Sequence, residues 1–112
     1  MTSGTKLIAL IGDPVERSLS PAMHNAAFEA LGLDYAYLAL RVPQAALEGA
    51  IASARVINMA GMNVTHPHKI NILSLLDDLD ESAELVGAVN TVKNDRGRLI
   101  GYNTDGAGAV RA

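Results

Sequence analysis

The sequence predicts an α/β fold, namely a three-layer, mostly parallel open sheet flanked by helices, with a C-terminal β-hairpin leading into a final helix. Two continuous apolar runs, at residues 6–11 and 35–42, are typical of strands that are buried on both faces. Each run is followed by a stretch in which apolar residues recur at helical spacing. A glycine-containing turn at residues 94–97 joins two further short runs, which indicates the hairpin.

The first unit is a strand, a polar loop and a helix. The strand at residues 6–11 is followed by a loop that leads to Ser20 and Pro21. A serine followed by a proline is typical of a helix start, so we expect Ser20 to be the N-cap. Apolar residues then recur at helical spacing as far as Leu31, and Gly32 is a suitable C-cap.

The central stretch of the chain is Asn63-Val64-Thr65-His66-Pro67-His68-Lys69. It follows a second strand-helix unit, in which Pro43 opens a helix that extends to about residue 54. The stretch lies between two apolar runs, so we expect it to join a third strand to a third helix, with Pro67 in the first helical turn. Lys69 would then lie where the helix dipole disfavours a cation, which indicates a role toward a ligand or a carboxylate.

The remainder of the chain predicts a short helix, the hairpin and a last helix. Asp80 is a candidate N-cap for a helix over residues 81–86, and Gly87 would end it. The acidic run at residues 77–84 is expected to be a solvated face. We expect a strand over residues 88–93, a returning strand over 98–102, and a helix from Ala107 onward. Because the chain ends within that helix, we expect a longer polypeptide.

Composition excludes several classes of protein. A chain of 112 residues is long enough for one domain and too short for two. The net charge of -3 argues against a nucleic-acid partner, which favours a basic surface. The absence of cysteine excludes disulfides and thiolate metal sites. No apolar run has membrane-spanning length, so we expect a cytoplasmic protein with no membrane contact.

Polar residues gather in four clusters, most of which follow predicted strands. The clusters are Ser18/Ser20, Asn63/Thr65/Lys69, Asn90/Thr91 and Asn103/Thr104/Asp105. In open α/β sheets ligands bind at the carboxyl ends of the strands, so we expect the first two clusters to share one edge. Asn90 lies within a predicted strand, where a buried amide needs hydrogen-bond partners.

Each cluster also has a purely structural interpretation. The serines suit a loop and a helix cap, Asn63 and Thr65 suit a turn, and Asp105 suits an N-cap. Only the joint arrangement of the clusters indicates a functional site.

Three histidines need separate interpretations. His66 and His68 bracket a proline and raise the alternative of a metal site, but no third ligand follows at helical spacing, so we expect no metal. His24 and its neighbour Asn25 lie on the first predicted helix, where we expect a structural role.

Four blocks of the chain, at residues 18–28, 61–69, 87–92 and 101–106, closely resemble the substrate-domain motifs of the shikimate dehydrogenase family. The blocks occur in the family's order and spacing, and the resemblance covers the chain from about Lys6 to its end. His66 stands where relatives often have an aliphatic residue, and Tyr102 is at a variable position. The glycine-rich nucleotide loop of the family's second, Rossmann-type domain has no counterpart in this chain.

The resemblance implies NADP-dependent reduction of 3-dehydroshikimate to shikimate, in aromatic amino-acid biosynthesis. It further implies that residues 1–112 form the substrate-binding domain, that the NADP-binding domain is absent, and that the chain alone is inactive. Ser18 and Ser20 would hold the substrate carboxylate. The residues implied to bind ring hydroxyls are Asn63, Thr65, Asn90 and Asp105. Lys69 and Asp105 would be the catalytic pair, and Lys69 would also contact the substrate. Glu81 would contact the cofactor, as proposed in some relatives.

The residue chemistry agrees with a small polyhydroxylated carboxylate. The clusters offer hydroxyls, amides and the single cation Lys69, whereas aromatic residues make up only 4% of the chain. Because a neighbouring Asp105 favours a charged ammonium, we expect Lys69 to donate a proton during reduction.

Two alternatives to a shikimate dehydrogenase remain. One is a stand-alone module that binds shikimate or quinate, and the other is a quinate or dual quinate/shikimate dehydrogenase. A homodimer, formed through apolar surface, also remains open.

Overall fold

The computed structural model describes residues 1–105, which form six strands and three α-helices. The strands are β1 (Lys6–Gly12), β2 (Tyr35–Arg41), β3 (Gly61–Val64), β4 (Asp78–Leu79), β5 (Thr91–Asp95) and β6 (Arg98–Tyr102). The helices are α1 (Ser20–Leu31), α2 (Leu47–Val56) and α3 (Glu81–Val86), with single 3₁₀ turns at Gln44–Ala46 and Leu73–Leu75.

The six strands form one mixed sheet in the order β2-β1-β3-β5-β6-β4. β1 pairs in parallel with β2 and with β3, and β4 pairs in parallel with β6. β5 runs antiparallel to both β3 and β6, so that β5 and β6 form the expected hairpin. The mostly parallel α/β fold predicted from the sequence is thereby confirmed.

Side chains that alternate along β1 enter two different cores. Ala9 and Ile11 belong to the larger core, which includes Ile51 of α2 and residues from β3, α3 and β5. Leu10 belongs to a smaller cluster with Tyr37, against which Phe28 of α1 packs. α1 lies over this second face and contains no buried residue among its twelve.

The start of α1 differs from the prediction. Ser20 is not the N-cap, because Leu19 occupies that position and no side chain caps the helix. Ser20 is the first helical residue, and its N–H donates to the Ser18 hydroxyl at 3.1 Å. The Ser20 hydroxyl therefore makes no hydrogen bond that caps the helix. Gly32 ends the helix in a left-handed conformation, as predicted.

The prediction of a helix after Pro67 is wrong. Residues 66–72 form turns, followed by the 3₁₀ turn, and the peptide bond between His66 and Pro67 is cis. Two backbone carbonyls that a helix would use are taken by other segments instead. His66 O accepts from Asp13 N at 2.9 Å, and Lys69 O accepts from Val89 N at 2.8 Å. Lys69 thus lies in a turn held by tertiary hydrogen bonds, and not in the first turn of a helix.

Two further predictions in the second half need correction. Asn90 precedes β5 by one residue and does not lie inside the strand. The acidic run is not merely a solvated face, because Asp77 pairs with Arg55 and Asp78 forms part of β4.

Three local predictions agree with the structure. Asp80 caps α3 by accepting from Ser82 N at 3.0 Å, and Gly87 ends that helix at a φ of 76°. The hairpin turns at Arg96 and Gly97, both with positive φ. The helix after Pro43 begins with a 3₁₀ turn and continues as α2.

The helix expected from Ala107 lies outside the described residues. Within residues 1–105, no helix is long and apolar enough to cross a membrane.

We expect Asp77 to stabilise the fold only when it is ionised. Hydrogen bonds from the Arg55 side chain and then from the Leu99 N–H hold the pKa of the Asp77 carboxyl below its usual value. A carboxylate with a lowered pKa contributes its full stability above the unfolded pKa, and that contribution is lost as the pH falls through the folded pKa. Asp77→Asn should therefore be destabilising at about pH 7, with the difference shrinking toward about pH 3.

Urea unfolding of both proteins at the two pH values measures this difference. Asp95→Asn, at an exposed position of β5, is the matched control and should change little. A destabilisation by Asp77→Asn that stays constant with pH would contradict this account.

Candidate functional site

Two of the polar clusters meet where β1 and β3 end, side by side in the sheet. The loop after β1 carries Ser18 and leads to Ser20, and β3 leads directly to Thr65. These three residues line one cleft of about 640 Å³. The parallel pairing of the two strands is what brings the two loops together, as expected from the sequence.

A second cleft of about 420 Å³ adjoins the first, and Thr65 lines both. Its other lining residues are His66, Pro67, Lys69, Ile70 and Asn71. The Lys69 ammonium lies 3.5 Å from an oxygen of the Asp105 carboxylate, which brings the cluster after β6 to this site. Both side chains are substantially exposed, so the pair is weakly held and Lys69 can exchange its partner for a ligand.

The wall between β1 and the Thr65 loop is closely packed. Thr65 N–H donates to Ile11 O at 3.0 Å, and Asp13 N–H donates to His66 O at 2.9 Å. A Cβ on Gly12 would lie 2.3 Å from Cγ2 of Thr65. Glycine is therefore required at residue 12 if the Thr65 side chain is to keep its position.

His68 anchors the loop that carries Lys69. Its ring is fully buried, and Nε2 lies 2.6 Å from Val42 O, so that Nε2–H donates to this carbonyl. His68 therefore has a structural partner, while His66 is exposed. The described residues contain no group of three or more side chains that could hold a metal ion.

A chain of hydrogen bonds connects the remaining clusters across the sheet. The Tyr37 hydroxyl donates to Asn63 Oδ1 at 2.8 Å, and Asn63 Nδ2 makes a long contact of 3.4 Å with Thr91 Oγ1. Thr91 Oγ1 donates to Asn90 Oδ1 at 3.0 Å, and Asn90 Nδ2 donates to Thr104 Oγ1 at 2.9 Å. We refer to these five residues as the amide chain. It ends one residue before Asp105.

Tyr37 is the member of this arrangement that the sequence analysis missed. It lies in β2, where its ring fills the smaller core and only 1% of the residue is exposed. The available signal was chemical, because a tyrosine in a strand that buries its ring needs a partner for its hydroxyl.

Residues of α1 hold Tyr37 in place, which confirms the structural role expected for His24 and Asn25. The Asn25 amide donates to Tyr37 O at 2.9 Å and accepts from Tyr37 N at 2.8 Å. The His24 ring stacks on the Tyr37 ring, with 4.3 Å between centroids.

Two polar residues lie apart from the clefts. Asn103 is buried, and its amide Nδ2 donates to Ala88 O at 3.0 Å, which ties β6 to the segment after α3. Glu81 is exposed in the first turn of α3, next to the cap residue Asp80.

The two open clefts offer hydroxyls, the Asn71 amide, the Lys69 ammonium with its partner Asp105, and the charged side chains of Glu16 and Arg17. This chemistry suits a small, polar, anionic ligand with several hydrogen-bonding groups. Lys69 supplies a transferable proton next to a carboxylate that can orient it.

Comparisons with a family model and with curated proteins indicate the same family. A family model described as the shikimate dehydrogenase substrate binding domain matches residues 10–92. The chain is 57% identical over 108 residues to the NADP(+) shikimate dehydrogenase of Methanopyrus kandleri, covering 96% of this chain. The chain spans only 37% to 40% of the length of eight curated relatives that it matches.

Solved structures agree with this result. Shikimate 5-dehydrogenase from Listeria monocytogenes, solved in complex with shikimate and NAD, has a TM-score of 0.94 and 52% identity, covering 99% of this chain and 38% of that one. The ligand-free 5-ketofructose reductase of a Gluconobacter species has a TM-score of 0.90 and 37% identity, covering 96% of this chain and 39% of that one.

We expect Gly12→Ala to displace Thr65 and to destabilise the fold. Its added methyl group would overlap the Thr65 side chain, and overpacking of this kind costs roughly 1–3 kcal/mol. The readouts are the free energy of unfolding in urea and the chemical shift of the Thr65 methyl group.

Gly49→Ala is the matched control for Gly12→Ala. Nothing lies within 4 Å of a Cβ at Gly49, which is inside α2, so alanine there should stabilise by about 0.5–1 kcal/mol. Equal effects of the two substitutions would contradict the proposed contact with Thr65.

Proposed function

This chain belongs to the shikimate dehydrogenase family, and we propose that it forms the substrate-binding domain of an NADP-dependent enzyme that reduces 3-dehydroshikimate to shikimate. The observation that carries this proposal is the Lys69–Asp105 pair, 3.5 Å apart, beside clefts lined by Ser18, Ser20 and Thr65. The chain spans 37% to 40% of the length of its curated relatives, which supports the proposal that the activity belongs to a longer protein with a cofactor-binding domain. The cytoplasmic location and the homodimer stay predictions from the sequence.

The substrate carboxylate is assigned to Ser18 and Ser20. Both residues line the larger cleft, and the Ser20 hydroxyl is not used as a helix cap. Hydroxyl groups bind a carboxylate by donating hydrogen bonds to its oxygens.

The ring hydroxyls are assigned to Asn63, Thr65, Asn90 and Asp105. The amide chain supports this assignment, because amides that are already hydrogen-bonded to one another lose little freedom when a ligand binds. Thr65 lies on the wall between the two clefts, where it can contact a ligand that occupies both.

Lys69 is assigned as the residue that donates a proton to the substrate. In the reduction, its ammonium donates a proton to the substrate carbonyl oxygen, while Asp105 orients Lys69 and accepts a hydrogen bond from a substrate hydroxyl. Help of this kind from a positioned acid contributes roughly 10²–10⁴-fold to the rate. In the reverse direction, the Lys69 amine takes up the proton from the substrate hydroxyl.

The smaller cleft suits the reactive ring of a nicotinamide cofactor. It lies on the Lys69 side of Thr65, with a volume of about 420 Å³. Ile70, which is 66% exposed, offers an apolar surface for the ring, and Asn71 offers an amide. When bound, NADPH supplies the hydride. The cofactor contact assigned to Glu81 stays a prediction.

The experiments that follow distinguish shikimate dehydrogenase from two alternatives. One alternative takes quinate as substrate, and the other is a stand-alone binding module. The similarity to a 5-ketofructose reductase is a reason to test substrates side by side, since the fold alone does not choose among polyhydroxylated ligands.

We expect this chain to bind shikimate with one-to-one stoichiometry in a calorimetric titration, and to bind quinate more weakly. Lys69→Ala should weaken shikimate binding by less than about tenfold, because the ammonium is exposed and its main contribution is to the chemical step.

Lys6→Ala is the matched control for this titration. Lys6 is an exposed lysine at the start of β1, at the opposite end of the strand from the site. Absence of saturable binding by a chain that is shown to be folded would count against a preformed pocket.

We expect the full-length enzyme carrying Lys69→Ala to lose roughly 10²–10⁴-fold in kcat with little change in KM. The 112-residue chain by itself should show no turnover with NADPH, because hydride transfer needs a bound nicotinamide. Steady-state kinetics in both directions provides the measurement, with Lys6→Ala again as control. A large rise in KM with kcat intact would reject the assignment of the proton to Lys69.

A further inference from the structure

We propose that Tyr37 is a positioning residue that sets the orientation of the Asn63 side-chain amide, so that a ligand hydroxyl meets its N–H group and not its carbonyl. This inference rests on the proposed function, because it assigns the residue that prepares Asn63 for the ring hydroxyls.

The direction of the amide chain follows from one backbone group. Thr104 N–H donates to Asn90 Oδ1 at 3.1 Å, and a backbone N–H can only donate. Asn90 must therefore present its oxygen at that point. The Thr91 hydroxyl, 3.0 Å from the same oxygen, must then donate its own proton to it.

This direction extends to Asn63. Since Thr91 has used its proton on Asn90, it can only accept from Asn63, so the Asn63 NH₂ group faces Thr91. The Asn63 oxygen then faces the Tyr37 hydroxyl at 2.8 Å, and Tyr37 must be the donor. The orientation of the Asn63 amide is thus fixed from both sides. Its second N–H has no acceptor among the described residues.

The Tyr37 phenol is suited to be a permanent donor. Burial raises the pKa of the Tyr37 phenol, and a hydrogen bond with the Ser20 side chain lowers it by a smaller amount. The phenol therefore keeps its proton well above neutral pH.

The position of Tyr37 is itself supported from α1. The Asn25 side chain hydrogen-bonds to both the backbone N–H and the backbone C=O of Tyr37, and the His24 ring stacks on the Tyr37 ring. β2 is an edge strand of the described sheet, so Asn25 supplies the hydrogen bonds that a further strand would have made. These contacts leave the hydroxyl little freedom to move away from Asn63.

The first test measures the amide orientation in the free chain by NMR. In wild type, nuclear Overhauser effects from the Asn63 NH₂ protons should reach the Thr91 side chain. Tyr37→Phe removes the donor, so these signals should weaken as flipped amides become populated. Tyr35→Phe is the matched control, since it removes a hydroxyl from the same strand that has no hydrogen bond to another described residue, and it should leave the signals unchanged.

The second test is a double-mutant cycle of shikimate affinity. Tyr37→Phe should weaken binding by about fivefold to tenfold, the value of one neutral hydrogen bond. Asn63→Ala should weaken it at least as much. If Tyr37 acts through Asn63, the double variant should bind no more weakly than Asn63→Ala alone.

Signals from Asn63 to Thr91 that weaken in Tyr37→Phe and not in Tyr35→Phe, together with non-additive losses of affinity, would support the proposal. Unchanged signals in Tyr37→Phe, or losses that simply add, would overturn it. If the folded wild-type chain binds no shikimate, the proposed binding function fails, and the NMR result still decides whether Tyr37 sets the amide.

Discussion

The site depends on backbone hydrogen bonds that continue the pairing of β1 and β3 past the end of β3 and into the loop after β1. Thr65 N–H bonds to Ile11 O, and Asp13 N–H bonds to His66 O. These bonds hold the two strand-end loops at a fixed separation, and Gly12 allows the loops to approach closely. The wall shared by the two clefts follows directly from this contact.

The position of Lys69 depends on the same segment being held from its other side. His68 anchors the loop to Val42 beside α2, and Lys69 O receives Val89 N–H from the segment before β5. The hairpin of β5 and β6 then returns the chain to the site, where Asp105 pairs with Lys69. Residues separated by more than thirty positions therefore meet because three backbone segments are fastened to one loop.

Local signals in the sequence predicted local structure well. The strands of continuous apolar residues, the Asp80 cap, the two helix-ending glycines and the hairpin turn all depend on a few neighbouring residues, and all agree with the structure.

The predictions that failed depend on tertiary contacts. Around Pro67, the carbonyls of His66 and Lys69 bond to other segments and not along a helix. The acidic run includes carboxylates that pair with Arg55 and Arg98. The clusters of candidate residues were recognised as a group, but Tyr37 was not, because nothing near it in the sequence indicates that its hydroxyl reaches Asn63 on another strand. The site roles of these residues remain predictions.

α1 buries none of its residues, yet it carries Ser20 and the two residues that hold Tyr37. An element with little buried surface opens at a smaller free-energy cost than the core of the sheet. The geometry of the pocket is therefore tied to the one of the three described α-helices that buries no residue. A ligand that bridges Ser20 and Asn63 would act as a cross-link between this helix and the sheet, so occupancy and rigidity would rise together.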